Sequence, residues 1–503
     1  MLPDMMLTKL FVLFVLFATW GCAGKMNTLP SHLYDPQTQL CRDFLENFDR
    51  VVATVNGQDI QAVAVPHFPG FRVNRFIASF QSQLLDEVAL HQWLQAMAQL
   101  AVTGRQLEYQ NLPASLQNSL SMAVPGKSSI TESLQTCATV LVDKVTNHTA
   151  LQEQLRANIS VPDNYSLTKR IVGVYPISSL AVAFGVNRLH KETAKQFQQP
   201  LDDIPIKGKL TFYGPPIVMP SVLPKMNETA QNINKENALG MPLYTSSQWQ
   251  SLWERHAPIL AVDTISADDR VGSPVWLNAS ESAIDINAPV VYQKVSYARI
   301  DKQVLAQLNY ILWFPARSAD GQFDIYAGHF DGLTWRVTLT PDGQVLMYDS
   351  AHNCGCYHKF YPSKQMQPRS NIDQGFEPPF IAQYMVDQKK IERVVLRISH
   401  ATHLVERVLL VNANDIRLDV EYGFSTYQTL RSLALPAGGA KSFFNHNGLV
   451  SGSERPERWL FWPMGVRSPG AMRQWGTHAI AFIGRRHFDD PYLIDKFFTR
   501  VEN

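Results

Sequence analysis

Thr334-Trp335-Arg336-Val337-Thr338-Leu339 and Val345-Leu346-Met347-Tyr348, joined through Thr340-Pro341-Asp342-Gly343, decide the fold class of this chain. Branched and aromatic side chains suit a pleated strand, and Pro-Asp-Gly reverses the chain tightly, so the stretch predicts an antiparallel hairpin. Residues 290–297 and 304–314 carry the same branched and aromatic composition. A second hairpin is expected to pair residues 393–398 with 404–411, leaving His400 and His403 in the connecting loop. From about Pro258 onward, then, the chain reads as mostly antiparallel strands.

Before that point the pattern is helical, chiefly over residues 35–155. Ile77, Phe80, Leu84, Val88, Leu94, Met97 and Ala101 recur every three or four residues, which predicts one helix with a single apolar face, ended by Gly104. His91, within that helix, is expected to be structural. The class is therefore α+β, with a helical N-terminal half and a β-rich C-terminal half. Its expected divisions are a leader (1–22), a mainly helical domain (25–165), a Pro-rich connecting region (166–257) with a surface excursion at 227–237, and a β-rich domain (258–503).

The 503 residues carry 45 Lys and Arg against 44 Asp and Glu, so no broad positive field exists to attract nucleic acid. Residues 10–18 form an apolar run after Lys9. It is too short to span a bilayer core of ~30 Å but suits an export signal. Thr19-Trp20-Gly21-Cys22-Ala23 follows and resembles the lipobox of bacterial lipoproteins. That resemblance implies lipidation at Cys22 and a membrane partner through the N-terminal lipid. It also implies a place in the bacterial envelope, at the outer membrane facing the periplasm. Thr19 and Trp20 depart from the residues that family prefers. Asn-X-Ser/Thr triplets such as those at Asn147, Asn158 and Asn227 carry no meaning in a bacterium.

Export constrains the cysteines, because an oxidising compartment leaves few thiols idle. Cys41 and Cys137 sit in helical, apolar contexts, and a structural disulfide between them is expected. That leaves Cys354 and Cys356 within His352-Asn353-Cys354-Gly355-Cys356-Tyr357-His358. On one strand, side chains two residues apart lie ~6.6 Å apart and could not close on one ion, so a shared site needs a bend, which Gly355 can supply. With that bend, His352, Cys354, Cys356 and His358 suit zinc or copper. His329 stands as a further ligand, with His400 or His403 in reserve. The leading expectation is thus a metal-binding envelope lipoprotein.

Two other readings of the cluster remain open. Cys354 and Cys356 could form a small-ring disulfide, redox-active or simply a clasp in an interaction module. Alternatively Cys356 is a nucleophile with His329 as its base, oriented by Asp331 or Asp349. This residue order resembles the circularly permuted branch of papain-like thiol hydrolases over about thirty residues. Haem attachment is not expected, since these cysteines are two apart instead of three, and no nucleotide fingerprint is present. Farther on, Arg455, Arg458, Arg467 and Arg473 interleave with Trp459, Trp462 and Trp475. Tryptophans filling a core, with arginines covering it, are expected there rather than an anion site. His478 precedes an expected strand at 479–483, and residues 485–490 an expected turn before a terminal helix.

Overall fold

The computed structural model describes residues 35–123, 129–216, 237–370 and 377–501. The leader, Cys22 and most of the polar excursion at 227–237 lie outside them.

Helix α1 (Pro36–Thr54) starts where Asp35 accepts a hydrogen bond from the Thr38 amide at 2.9 Å, with Pro36 in its first turn, a position that needs no amide hydrogen. A short hairpin, β1 (Val63–Val65) and β2 (Phe68–Val73), leads to the single turn α2 (Arg75–Ala78). Then come α3 (Glu87–Gln110), α4 (Ala114–Met122), α5 (Ile130–Thr146) and α6 (Thr149–Asn158). Phe44, Phe71, Trp93, Met97 and Leu141 share their core. Cys41 of α1 and Cys137 of α5 form the expected disulfide, with Cα atoms 5.2 Å apart.

The single helix expected from Ile77 to Gly104 is instead two. Asp86 caps a fresh start at Glu87, which leaves Leu84 exposed, and α3 runs straight through Gly104 to Gln110. Gly104 is no terminator. A side chain there would strike the Arg72 guanidinium, which crosses α3 to reach both carboxylate oxygens of Glu108 at 2.8 and 2.9 Å.

The Pro-rich region is more than a connection. It holds α7 (Leu167–Val172), the long α8 (Tyr175–Gln198), β3 (Lys209–Gly214) and α9 (Ser246–His256). Strand β3 pairs with β4 (Ile259–Thr264). Strands β5 (Ser273–Trp276) and β6 (Ser282–Asp285) form a small hairpin. The main sheet follows: β7 (Val290–Ile300), β8 (Gln303–Arg317), β9 (Gly328–Leu339), β10 (Val345–His352) and β11 (Lys359–Pro362).

Later come β12 (Met366–Pro368), β13 (Glu392–Ile398), β14 (Val405–Asn412), β15 (Val420–Glu421) and β16 (Gly423–Thr426). The six-stranded sheet has the order β11-β10-β9-β8-β7-β16, antiparallel except for β16 beside β7. The five-stranded sheet has the order β14-β13-β4-β3-β15. Both expected hairpins are present, β9 with β10 and β13 with β14, and residues 399–404 connect the latter.

The two sheets stack, and alternation along β8 shows how. Ala306, Leu308, Tyr310, Leu312 and Phe314 join Leu260, Val262, Val394 and Leu396 of the second sheet. Leu305, Ile311 and Trp313 face the other way, toward Phe443, Trp475, Phe488 and Phe498 of the C-terminal segments. Those segments are largely irregular. The strand expected at 479–483 is reduced to one antiparallel bridge between Ala479 and His487, because side chains take the backbone groups that follow it. Glu377 accepts from the Phe482 amide at 3.0 Å, and the Tyr165 hydroxyl lies 2.8 Å from the Ala481 carbonyl. Helix α10 (Arg458–Phe461) and helix α11 (Leu493–Phe497) complete the chain. Among the described residues no helix is long and apolar enough to cross a membrane.

The disulfide joins residues 96 apart, a loop long enough for its closure to remove much unfolded-chain entropy. Cys41→Ser with Cys137→Ser is therefore expected to lower the unfolding free energy by ~2–5 kcal/mol in urea titrations. An unchanged midpoint would contradict a structural role.

Candidate functional site

At the end of β10 the chain reverses through the segment that concentrates its cysteines and histidines. The His352 amide donates to the Cys356 carbonyl at 3.0 Å, and the Gly355 amide to the His352 carbonyl at 2.7 Å. Gly355 lies at φ +91°, with the Ala479 carbonyl where a side chain would stand, so only glycine fits. The bend expected at Gly355 is present, and it returns the chain as β11, where Lys359 pairs opposite Ser350.

The bend separates the histidines instead of gathering them. His352 turns toward the second sheet, its Nδ1 3.4 Å from Asp331 Oδ1. His358 lies on the opposite face among Phe360 and Phe488, its Nε2 2.9 Å from Asp349 Oδ2. Asp349 is also gripped by Arg336, whose Nε approaches to 2.8 Å. Each imidazole thus sits against a buried carboxylate as a neutral ring, because burial lowers the pKa of both. Among the described residues no three or more His, Cys, Asp or Glu side chains are placed to hold a metal ion. The expected zinc or copper site of His352, Cys354, Cys356 and His358 is corrected accordingly.

The other histidines do not repair it. His329 is exposed at the start of β9, opposite Ala316 of β8. His403 is buried, stacked on Phe314, with Nδ1 2.9 Å from Asp331 and Nε2 3.5 Å from Asp269. His400 lies 3.7 Å from Asp263. Burial alone would lower the His403 pKa, but these two carboxylates outweigh it and raise it. Burial raises and His352 with Arg455 lower the Asp331 pKa, and the net position is well below the usual carboxylate range.

Cys354 and Cys356 are free thiols, not a clasp. The Cys356 amide donates to Cys354 Sγ at 3.3 Å. Burial would raise the Cys354 thiol, but the hydrogen bond donated by the Cys356 thiol and the Arg455 charge bring it below its ordinary value. The same hydrogen bond, with burial, pushes the Cys356 thiol well up. Among the described residues no hydrogen bond joins a histidine to either thiol, and the segment after Cys356 is strand rather than the helix a papain-like order implies.

The thiols line a cavity of about 700 Å³. One wall is the turn from Cys354 to Lys359 with Arg317, Tyr326 and Glu457; the facing wall is α8, presenting Ser178, Ala181, Val182, Gly185, Val186 and Leu189. The role of this helix is not legible in its own residues. A glycine within an apolar helical run was the available signal.

Of its 24 residues only Ser179 and Phe197 are buried. The helix is held at its ends, where the Tyr175 hydroxyl accepts from the Gly484 amide at 2.7 Å and Gln196 donates to Glu406 at 2.9 Å. No atom lies within 4 Å of where a Gly185 side chain would begin. Burial raises Glu457 to about 7 despite Arg455 and Arg317, and lowers Lys359 to about 8. The buried Nε of Arg317 has no hydrogen-bond partner.

Another cavity, of about 740 Å³, lies between the helical half and the C-terminal segments. Several of its charges are paired, Arg72 with Glu108, Arg75 with Asp489 and Asp59 with Arg431. Of the C-terminal arginines, Arg455 and Arg473 are buried braces, whereas Arg458 is partly exposed and Arg467 exposed. Arg455 donates to the Phe330 carbonyl at 2.9 Å and Arg473 to the Arg467 and Ser468 carbonyls at 3.0 Å. Trp475 fills the core as expected, whereas Trp459 is 73% exposed.

Comparison with protein-family models, curated proteins and solved structures yields no match for this chain.

Burial, opposed by Asp349, holds the pKa of His358 at about 4, and burial with Arg473 holds that of His478 at about 3, against a usual 6.5. Such groups contribute stability above pH 6.5 and lose it as pH falls toward the folded value. His403, with its raised pKa, contributes below 6.5 and loses its contribution as pH rises through the folded value. Unfolding free energy is therefore expected to fall between pH 7 and pH 4, each such group contributing up to ~1.4 kcal/mol per pH unit between 6.5 and its folded value. His478→Gln should shrink that fall, while the cost of His403→Gln should grow from pH 8 to pH 5. Urea titrations at each pH check both signs.

Proposed function

We propose that this chain is an exported envelope protein that binds an amphiphilic small molecule in the cavity beneath α8. One observation carries the reading: a long helix spans an apolar cavity without packing into it, presenting small side chains and the open space at Gly185. A helix normally buries its apolar stripe against a core. Here the room left by Ala181, Gly185 and Val186 is filled by a ligand. Ligand cavities of this size pair apolar walls with a few convergent polar groups.

The chemistry of the walls selects the ligand class. An apolar chain lies against Ala181, Val182, Val186 and Leu189 of α8 and against Phe380, which stacks on His190 of the same helix. Arg317 and Lys359 favour an anionic or strongly hydrogen-bonding head, and Glu457, partly protonated near neutrality, relieves the repulsion a second carboxylate would meet. Export is supported by the apolar run at residues 10–18 and by the Cys41–Cys137 disulfide, a bond that persists in oxidising compartments. Lipidation at Cys22 belongs to the same proposal and rests on the lipobox-like residues alone.

Titration with a fluorescent long-chain fatty acid tests the reading. The protein is expected to bind it, and the bound probe should slow alkylation of Cys354 and Cys356. Gly185→Phe fills the open space from the helix side without removing a packing contact. It is expected to weaken binding at least ~10-fold, equivalent to ~1.4 kcal/mol, with an unchanged melting temperature. No binding by the unmodified protein, or equal binding by the variant, would reject the cavity as the site.

A further inference from the structure

The outward side of α8 carries a separate pattern. Ile177, Leu180, Phe184, Arg188, Lys191 and Lys195 recur at three- and four-residue spacing, which places them on one stripe. None of these six lines the cavity. All are exposed, Phe184 at 76%. The stripe is apolar over its first half and basic over its second.

Neighbouring elements extend the apolar part. Leu167, Ile171 and Val172 of α7 and Val174 at the corner are exposed large hydrophobics, as are Trp459 and Leu460 of α10. These elements adjoin. Arg170 donates to the Met464 carbonyl at 2.9 Å, and Phe461 stacks on Phe482 beneath the start of α8. The corner itself is held in an unfavourable shape, with Val174 at φ +47°, a region branched residues avoid. Large apolar side chains gathered outward beyond scattered single positions mark an interaction surface.

Charge identifies the partner. Of the five Lys and Arg in residues 167–198, Arg170 is buried and Arg188 pairs with the single Glu192 at 2.8 Å, which leaves Lys169, Lys191 and Lys195 as uncompensated positive charge in a chain of net charge +1. Partly exposed Arg458, over the Trp459 ring, adds to the same side. Exposed apolar side chains bordered by cations are the pattern that inserts at the headgroup level of an anionic bilayer, with aromatic and aliphatic side chains entering and Lys and Arg meeting phosphate.

We infer that the α7–α8 corner with Trp459 and Leu460 is a docking surface for an anionic phospholipid membrane. Docking needs no spanning helix and is independent of the N-terminal run. Leu460 also lines the cavity, so the cavity mouth sits at the docked edge, where an amphiphile can pass between bilayer and protein. The docking itself does not depend on the cavity being a ligand site.

Co-sedimentation of the full chain with vesicles tests this, using phosphatidylcholine alone and a 3:1 mixture of phosphatidylcholine with phosphatidylglycerol, ratios of about that composition being enough to set a negative surface. The unmodified protein is expected to pellet with the anionic vesicles, at least ~5-fold less with neutral ones, and less in high salt. Ile177→Glu with Phe184→Glu, and separately Lys191→Glu with Lys195→Glu, should each lose most of that recovery while retaining fatty-acid probe binding. Gly185→Phe should retain vesicle binding, so the two readings fail separately. Equal recovery of the unmodified and Glu-substituted proteins would assign attachment to the N-terminal residues and overturn the inference. Loss of self-association by the variants without any vesicle effect would make the surface a contact between copies and overturn it as well.

Discussion

Asp331 and Asp349 are carboxylates buried on opposite faces of one sheet, and much of the surrounding structure answers to them. An ionised carboxylate removed from water is tolerated only with charged or hydrogen-bonding partners. Asp331 draws His352, His403 and Arg455 around it, and Asp349 draws Arg336 and His358. Those partners come from β9, β10, the turn before β11, the β13–β14 loop and the C-terminal segment. The two carboxylates therefore tie the stacked sheets to the irregular chain that covers them. They also explain why imidazoles near two thiols make no metal centre, since Asp331 and Asp349 draw His352 and His358 to opposite faces of the sheet.

The thiol turn acquires its setting from the same arrangement. Because β10 ends with His352 held toward Asp331 and β11 begins beyond His358 held toward Asp349, the residues between must reverse tightly. Cys354 and Cys356 are carried to the cavity wall. Helix α8 supplies the opposite wall, fixed at its ends and largely free between them. Its inner stripe is small and apolar and its outer stripe changes from apolar to basic, so one helix separates two environments. The ligand cavity and the membrane surface proposed above are the two sides of that helix.

Much of the framework was legible residue by residue. Alternation and turn chemistry located β9, β10, β13 and β14, the Pro-Asp-Gly reversal and the bend at Gly355. The helical reading of the first half also held, as did the pairing of Cys41 with Cys137. Where a side chain from elsewhere intervened, the reading failed. Gly104 looked like a helix end because nothing local announces that Arg72 will cross it. Residues 479–483 looked like a strand, yet Tyr165 and Glu377 take up the backbone groups that a neighbouring strand would have used.

The candidate site shows the same division. Period-two alternation, the glycine bend and the apolar heptad-like spacing are properties of neighbouring residues, and the amino-acid sequence by itself determined them: an α+β chain with a tight turn carrying two thiols between strands. The direction each histidine takes depends on sheet register and on carboxylates brought close by folding, so only the tertiary structure decided that His352 and His358 would part. It also decided that α8 would stand over a cavity, because an apolar helical stripe reads alike whether it meets a core, a ligand or a lipid surface.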